Sequence, residues 1–258
     1  MISISSAALN AWIAGLLWPL SRILGLMATA PLFNNRTIPA RVKVGLGVLL
    51  ALIVAPAVPA LPAADPMSLT GLLILAQQMI IGLAMGMAMR IVFAAIEMAG
   101  EIIGMTMGLG FATFYDPQSA AHSSAISQFL SLVMLMFYLA ANFHLMLVSA
   151  LVESFTTMPV GAGVFDASLE QLVSWGGRIF SAGVQLSLPI VAALLINNVA
   201  LGVLTRAAPQ LNIFGIGFPI AIGVGFIMIA LTIPYLAAPI ERLLQEGIGM
   251  AVRLAVPR

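Results

Sequence analysis

The 258 residues predict an all-α integral membrane protein, and three observations carry that reading. Hydrophobic residues make up 62% of the chain and charged ones only 7%, against about a quarter in an ordinary soluble domain. The apolar residues fall into runs of about 20 or more, the length a helix needs to cross the hydrocarbon core. Those runs lack the alternation of barrel strands, and hydrocarbon gives open backbone groups no partner, so helices follow. The whole chain, residues 1–258, reads as a single membrane-embedded domain.

Six apolar segments are expected, at about 7–30, 42–62, 69–96, 124–152, 177–205 and 213–239. Several exceed the minimum span, which calls for tilt, kinks or projection beyond the hydrocarbon. The first segment follows MISISSAALNAW, which lacks a basic leader region, and Pro19 and Arg22 interrupt it. It is therefore expected to be a membrane segment rather than a cleaved signal. The loop to the second segment carries Arg36, Arg41 and Lys43 and should stay cytoplasmic. Arg41 and Lys43 follow Pro39 at a helix start, where cations oppose the macrodipole and look for lipid headgroups or an acidic partner. The proline-rich stretch 55–66 reads as a stiff turn on the other face.

In the third segment, Gln77 and Gln78 should find protein partners. Glu97 and Glu101, one turn apart, should repel unless water or a cation satisfies them. The fourth segment is rich in Met and Phe all round, which reads as packing. Asp166 or Ser168 is placed to cap a short helix through Glu170 and Leu172. Pro189 and Pro234 lie deep in the last two segments and are expected to kink or break them. Asn197 and Asn198 read as a buried amide pair. Strict alternation of the six segments places acidic 101–118 inside and the arginine-bearing tail outside, both against the positive-inside rule. At least one segment is therefore expected not to span, and the central stretch leads the candidates for re-entrant backbone.

That stretch, EIIGMTMGLGFATFYDP at 101–117, differs from its flanks. Gly100, Gly104 and Gly108 recur every four residues, a smooth helical stripe where another backbone can approach. Gly110, Phe111, Phe114 and Tyr115 follow, then Asp116-Pro117, which breaks regular structure. Bulky apolar side chains on a glycine-loosened backbone suit a gate; they equally suit an ordinary apolar linker.

The same composition excludes much chemistry. With no cysteine there is neither a disulfide nor a thiolate nucleophile. His122 and His144 are far apart, with no carboxylate at ligand spacing, so no metal site is expected. No nucleotide loop or catalytic triad is present, so neither an enzyme nor a bound cofactor is expected.

Three stretches together resemble the FliR family: APLFNNRTIPARVKVGLG at 30–47, GLGFATFYDPQ at 108–118 and RAAPQLNIFGIGFP at 206–219. The likeness covers essentially the whole chain and is closer to the flagellar than to the virulence-secretion branch. The resemblance implies a core subunit of the flagellar type III export gate in the bacterial inner membrane, at the centre of the basal body. It implies assembly with FliP and FliQ, contact with FlhB and FlhA, and passage of unfolded flagellar proteins. The fold it implies has kinked helical hairpins around a re-entrant plug loop at Met105–Gln118. Met105, Met107, Leu109, Phe111 and Phe114 would form the plug, and Gly104, Gly108, Gly110 and Pro117 its hinge. Arg36, Arg41, Lys43, Arg206 and Asn212 would make subunit or membrane contacts. The rival readings are an injectisome homologue, a passive scaffold and a small-solute secondary transporter, whose broken helices would suit Pro189, Pro234 and the Asn197-Asn198 pair.

Overall fold

The computed structural model describes residues 6–34, 37–59, 62, 64–111, 124–161, 166–208 and 213–256. Every regular element among them is helical: α1 (Ser6–Thr29), α2 (Ala40–Val54), α3 (Leu69–Thr106), α4 (Ala125–Ala140), α5 (Phe143–Thr157), α6 (Asp166–Gly176), α7 (Arg178–Ala207) and α8 (Ile213–Leu254). Short 3-10 turns stand at Ala55–Ala57 and Leu109–Phe111. Four helical stretches among the described residues are long and apolar enough to cross a membrane, and the broken pair α4–α5 makes a fifth if taken as one. This is the expected all-α membrane architecture.

Several elements differ from expectation. The second segment ends as an α-helix at Val54, because Pro56 cannot continue the hydrogen-bond ladder. The third runs on to Thr106, 38 residues or about 57 Å at 1.5 Å per residue, far beyond a bilayer core of about 30 Å. The fourth is two helices rather than one. Asn142, in the left-handed region at φ 59°, turns the chain between them; asparagine tolerates that region better than other side chains with a Cβ. Helix α6 forms where a short helix was expected.

Pro189 and Pro234, expected to kink or break the last two segments, break neither. Pro189 lies inside α7, and Pro219, Pro234 and Pro239 lie inside α8, which continues to Leu254. Ending a helix in an apolar medium frees more backbone groups than one proline does, so continuation costs less. The amide pair is not buried either: Asn197 is half-buried and Asn198 exposed. Four-residue periodicity keeps adjacent residues off a common face, so α7 can sink only one of the two.

The chain forms two compact units, one of residues 1–91, 139–176 and 244–258, the other of 92–138 and 177–243. In the first, α1 and the start of α3 approach backbone to backbone. A Cβ at Gly82 would collide with the Arg22 carbonyl, and one at Gly25 with the Met79 carbonyl. Thr29 Oγ1 donates to the Leu83 carbonyl at 3.0 Å across this seam. Small residues that let helix backbones touch are the usual basis of such contacts in membranes.

In the second unit, α3 packs on α4 through Gly100 and Gly104, where a Cβ would meet Ser127 and Ser124. Gly100 and Gly104 thus have the close neighbour their spacing asks for, whereas Gly108, the third of the expected stripe, lies beyond the end of α3. Phe93 and Tyr138 stack edge to face, 5.6 Å between centroids, the arrangement that ring quadrupoles favour.

Candidate functional site

The candidate gate begins where α3 ends. Met107 N–H still donates to the Ile103 carbonyl at 2.9 Å, while Gly108 N–H turns back to Met105 at 3.0 Å. Gly108 then takes φ 86°, a left-handed position open to glycine at little cost, and the chain leaves the helix into Leu109–Phe111.

This end is held by α4. Ser124 Oγ accepts the Ser127 N–H at 3.2 Å, a side-chain N-cap. Glu101 Oε1 accepts the Ser124 N–H at 2.8 Å, adding a carboxylate at the positive end of the helix dipole. Ser127 Oγ donates to the Glu97 carbonyl at 2.9 Å. One carboxylate oxygen of half-buried Glu101 is thus met by a backbone N–H, a partner beyond the water or cation expected for it.

The expected plug residues are not placed alike. Met105 is 62% exposed, Leu109 half-buried, and Met107 fully buried. Met107 lies against Gly225 of α8, where a Cβ would come within 2.6 Å of its side chain. The structure thus separates Met105 from Met107 at the turn's two sides. The Phe111 side chain, Phe114 and the rest of the loop to Gln118 lie outside the described residues. Of the expected hinge, Gly104 is inside α3 against Ser124, Gly108 is the left-handed stop, Gly110 has open space where a Cβ would be, and Pro117 lies outside the described residues. Arg41 is exposed and Lys43 half-buried in the first turn of α2, as expected of a helix start. Arg206 is exposed in the last turn of α7; Arg36 and Asn212 lie outside the described residues.

Behind the α3 end, within the second unit, is a cavity of about 210 Å³ lined only by Ile, Leu, Val, Ala and Phe side chains of α3, α4, α7 and α8. Among the described residues, no three metal-binding side chains cluster.

One polar centre escaped sequence reasoning. Arg22 of α1 is fully buried in the first unit. Its Nε donates to Gln78 Oε1 at 2.8 Å, Nη1 to the Ser154 carbonyl at 2.7 Å and Oγ at 3.0 Å, and Nη2 to the Met158 carbonyl at 2.8 Å. The guanidinium also lies 4.3 Å from the centre of the Phe155 ring. All these partners are neutral. The Ser154 and Met158 carbonyls belong to the C-terminal end of α5, where the helix dipole is negative, so the helix end serves as counter-charge. Gln78 thereby has its expected protein partner. An arginine inside an apolar segment was itself the available signal; nothing in the spacing named its acceptors.

Fold and site define a membrane-embedded helical protein whose longest apolar helices outrun the bilayer and whose central helix stops at a glycine-bounded apolar turn. The sequence pattern of the bacterial export proteins, family 1, matches residues 13–247. Flagellar biosynthetic protein FliR of Pectobacterium carotovorum is 42% identical over 247 residues, covering 95% of this chain and 94% of that protein. FliR of Escherichia coli K12 is 40% identical over 247 residues with the same coverage. FliR of Bacillus subtilis is 32% identical over 212 residues, covering 81% and 82%. The chain belongs to this export family, in its FliR flagellar branch, and is a membrane-embedded component of the flagellar export apparatus.

Proposed function

We propose that the chain is a core channel subunit of the flagellar type III export gate in the inner membrane, within the flagellar basal body. It assembles with FliP and FliQ, meets FlhB and FlhA, and passes unfolded flagellar proteins, with the stretch Met105–Gln118 plugging the resting pore. It acts as a conduit and catalyses no reaction of its own.

The observation that carries this reading is the end of α3. A 38-residue helix stops at a left-handed glycine and hands the chain to an apolar turn with Met105 exposed. An apolar constriction excludes hydrated ions by dewetting, while flexible Met and Leu side chains deform around a varied polypeptide. Gly104, Gly108, Gly110 and Pro117 are the hinge of that plug.

Support for subunit contacts comes from α7. Asn198 and Arg206 lie two turns apart on one exposed face of an apolar helix, with exposed Gly202 between them, so two polar side chains interrupt that face. Such side chains are costly against lipid and cheap against a protein acceptor. Arg36, Arg41, Lys43 and Asn212 are assigned to further contacts with subunits or headgroups.

Two experiments test the reading. A tagged copy purified from native membranes in mild detergent should bring down FliP-like and FliQ-like subunits; a clean monomer or homodimer would overturn it in favour of a transporter. Replacing Phe111 and Phe114 together with Ala should raise ion leakage through the membrane. Unchanged leakage in an assembled complex would leave a passive scaffold.

A further inference from the structure

We propose that Met107 is the latch of the plug: seated in the notch that Gly225 leaves in α8, it holds the end of α3 in the closed position. The inference rests on the reading of Met105–Gln118 as a plug. Met107 is fully buried, although Met105, two residues earlier, is 62% exposed. A Cβ built on Gly225 would stand 2.6 Å from Met107 Cγ and Cε and 2.7 Å from Sδ. The whole thioether therefore occupies the space in which any other residue at 225 would carry its side chain.

The notch is particular to this position. Gly225 lies inside the continuous helix α8, where glycine is less favourable than alanine, so the helix gives up stability to leave the space. Other glycines of α8 leave none that is used in this way. Gly223, two residues earlier, has open space where a Cβ would be, and a Cβ on Gly249 would reach only the tip of Arg253, at 4.0 Å. Both partners of the contact belong to the second compact unit, so the seat is internal to it.

Position and chemistry suit a latch. Met107 is the last residue to continue the α3 ladder, its N–H donating to the Ile103 carbonyl at 2.9 Å, and Gly108 then turns away at φ 86°. Fixing the Met107 side chain therefore fixes the point from which Leu109–Phe111 departs. The contact is dispersion between a thioether and a helix backbone, so release strands no strong donor or acceptor. An unbranched thioether leaves and re-enters such a notch by rotamer changes, while the α8 backbone need not move. Met107 and Gly225 are thus positioning residues, and the closing surface is the remainder of the plug.

The test is Gly225→Ala, which adds one methyl group, favours the α8 helix and evicts Met107. It is read in the assembled complex in native membranes. Hydrogen peroxide should oxidise Met107 at least tenfold faster than in the unaltered protein, as mapped by peptide mass spectrometry, while buried Met89 stays unchanged and reports against unfolding. Ion leakage should rise at least threefold at an unchanged amount of complex. Gly223→Ala should alter neither readout. Unchanged oxidation of Met107 would overturn the latch. Faster oxidation without leakage, where replacing Phe111 and Phe114 with Ala does leak, would also overturn it and leave the plug reading standing. If neither variant leaks, the plug reading fails and the latch falls with it. Should Gly225→Ala not accumulate, Met107→Ile keeps the apolar bulk but, branched at Cβ, cannot lay an unbranched chain along the notch. It should leak at least threefold more than the unaltered protein, and unchanged leakage would sink the proposal.

Discussion

In its first half, residues 69–91, helix α3 meets α1 through glycines at backbone distance and a buried arginine whose hydrogen bonds reach α5. In its second half, residues 92–106, the same helix touches α4 through glycines but stands beside an apolar cavity. Both halves use small residues to bring backbones together, and the difference lies in what fills the remaining space. The first half encloses the Arg22 charge and must meet it with acceptors, because an unmet donor in a low dielectric is costly. The second half borders an apolar cavity, which leaves no polar group there to satisfy. One regular helix thus borders a satisfied polar contact in one half and an apolar space in the other.

The comparison breaks most directly at the seam. Gly82→Val should cost about 3 kcal/mol or more, because the side chain meets the Arg22 carbonyl, which has no rotamer to escape into. Loss of folded protein from membranes, or a large drop in detergent melting temperature, would register it. A near-normal Tm would show that the seam can part without penalty.

Arg22→Met keeps the bulk and removes every donor, stranding Gln78 Oε1 and the Met158 carbonyl, while the Ser154 carbonyl keeps the Met158 N–H. The expected cost is about 3 kcal/mol, and Arg22→Lys should recover only part of it, since an ammonium cannot span the same fork. Thermal melts of the three proteins in one detergent check the order.

Ala88 and Ala99 give the sharpest contrast, because both are buried alanines of α3. Ala88→Leu in the packed half should cost about 2 kcal/mol, whereas Ala99→Leu grows into the cavity and should change stability by less than about 0.5 kcal/mol. Equal losses in paired melts would mean that the two halves are packed alike.

The smallest effect is expected at the α4 cap. Glu101→Ala should cost about 1 kcal/mol and speed amide exchange at Ser124, with Glu101→Gln intermediate because it keeps an acceptor without the charge. Unchanged exchange would show that the cap contributes nothing beyond geometry.

Much of this was readable in the chain. The membrane class, the glycine contacts at 100 and 104, the partnered Gln78 and the short helix at 166 follow from local composition and spacing. The break at Asn142 was missed because the apolar run continues through it. The burial of Arg22 was missed because its acceptors, Gln78, Ser154 and Met158, are remote in sequence and two of them are backbone carbonyls, which every residue carries. Asn197 and Asn198 misled because an apolar context suggests burial but does not say which face of a helix meets protein.

The sequence by itself determined that the chain is a set of membrane-length helices, since backbone groups in hydrocarbon allow only helices or closed barrels and the apolar runs lack the alternation of barrel strands. It also marked where backbones approach, because glycine spacing on a helix is a surface property of one segment. Only the tertiary structure decided that Gln78 meets Arg22, that Glu101 caps α4, that Met107 is buried while Met105 is exposed, and that a cavity remains behind them. Those depend on how distant segments divide a shared volume, and no single segment carries that information.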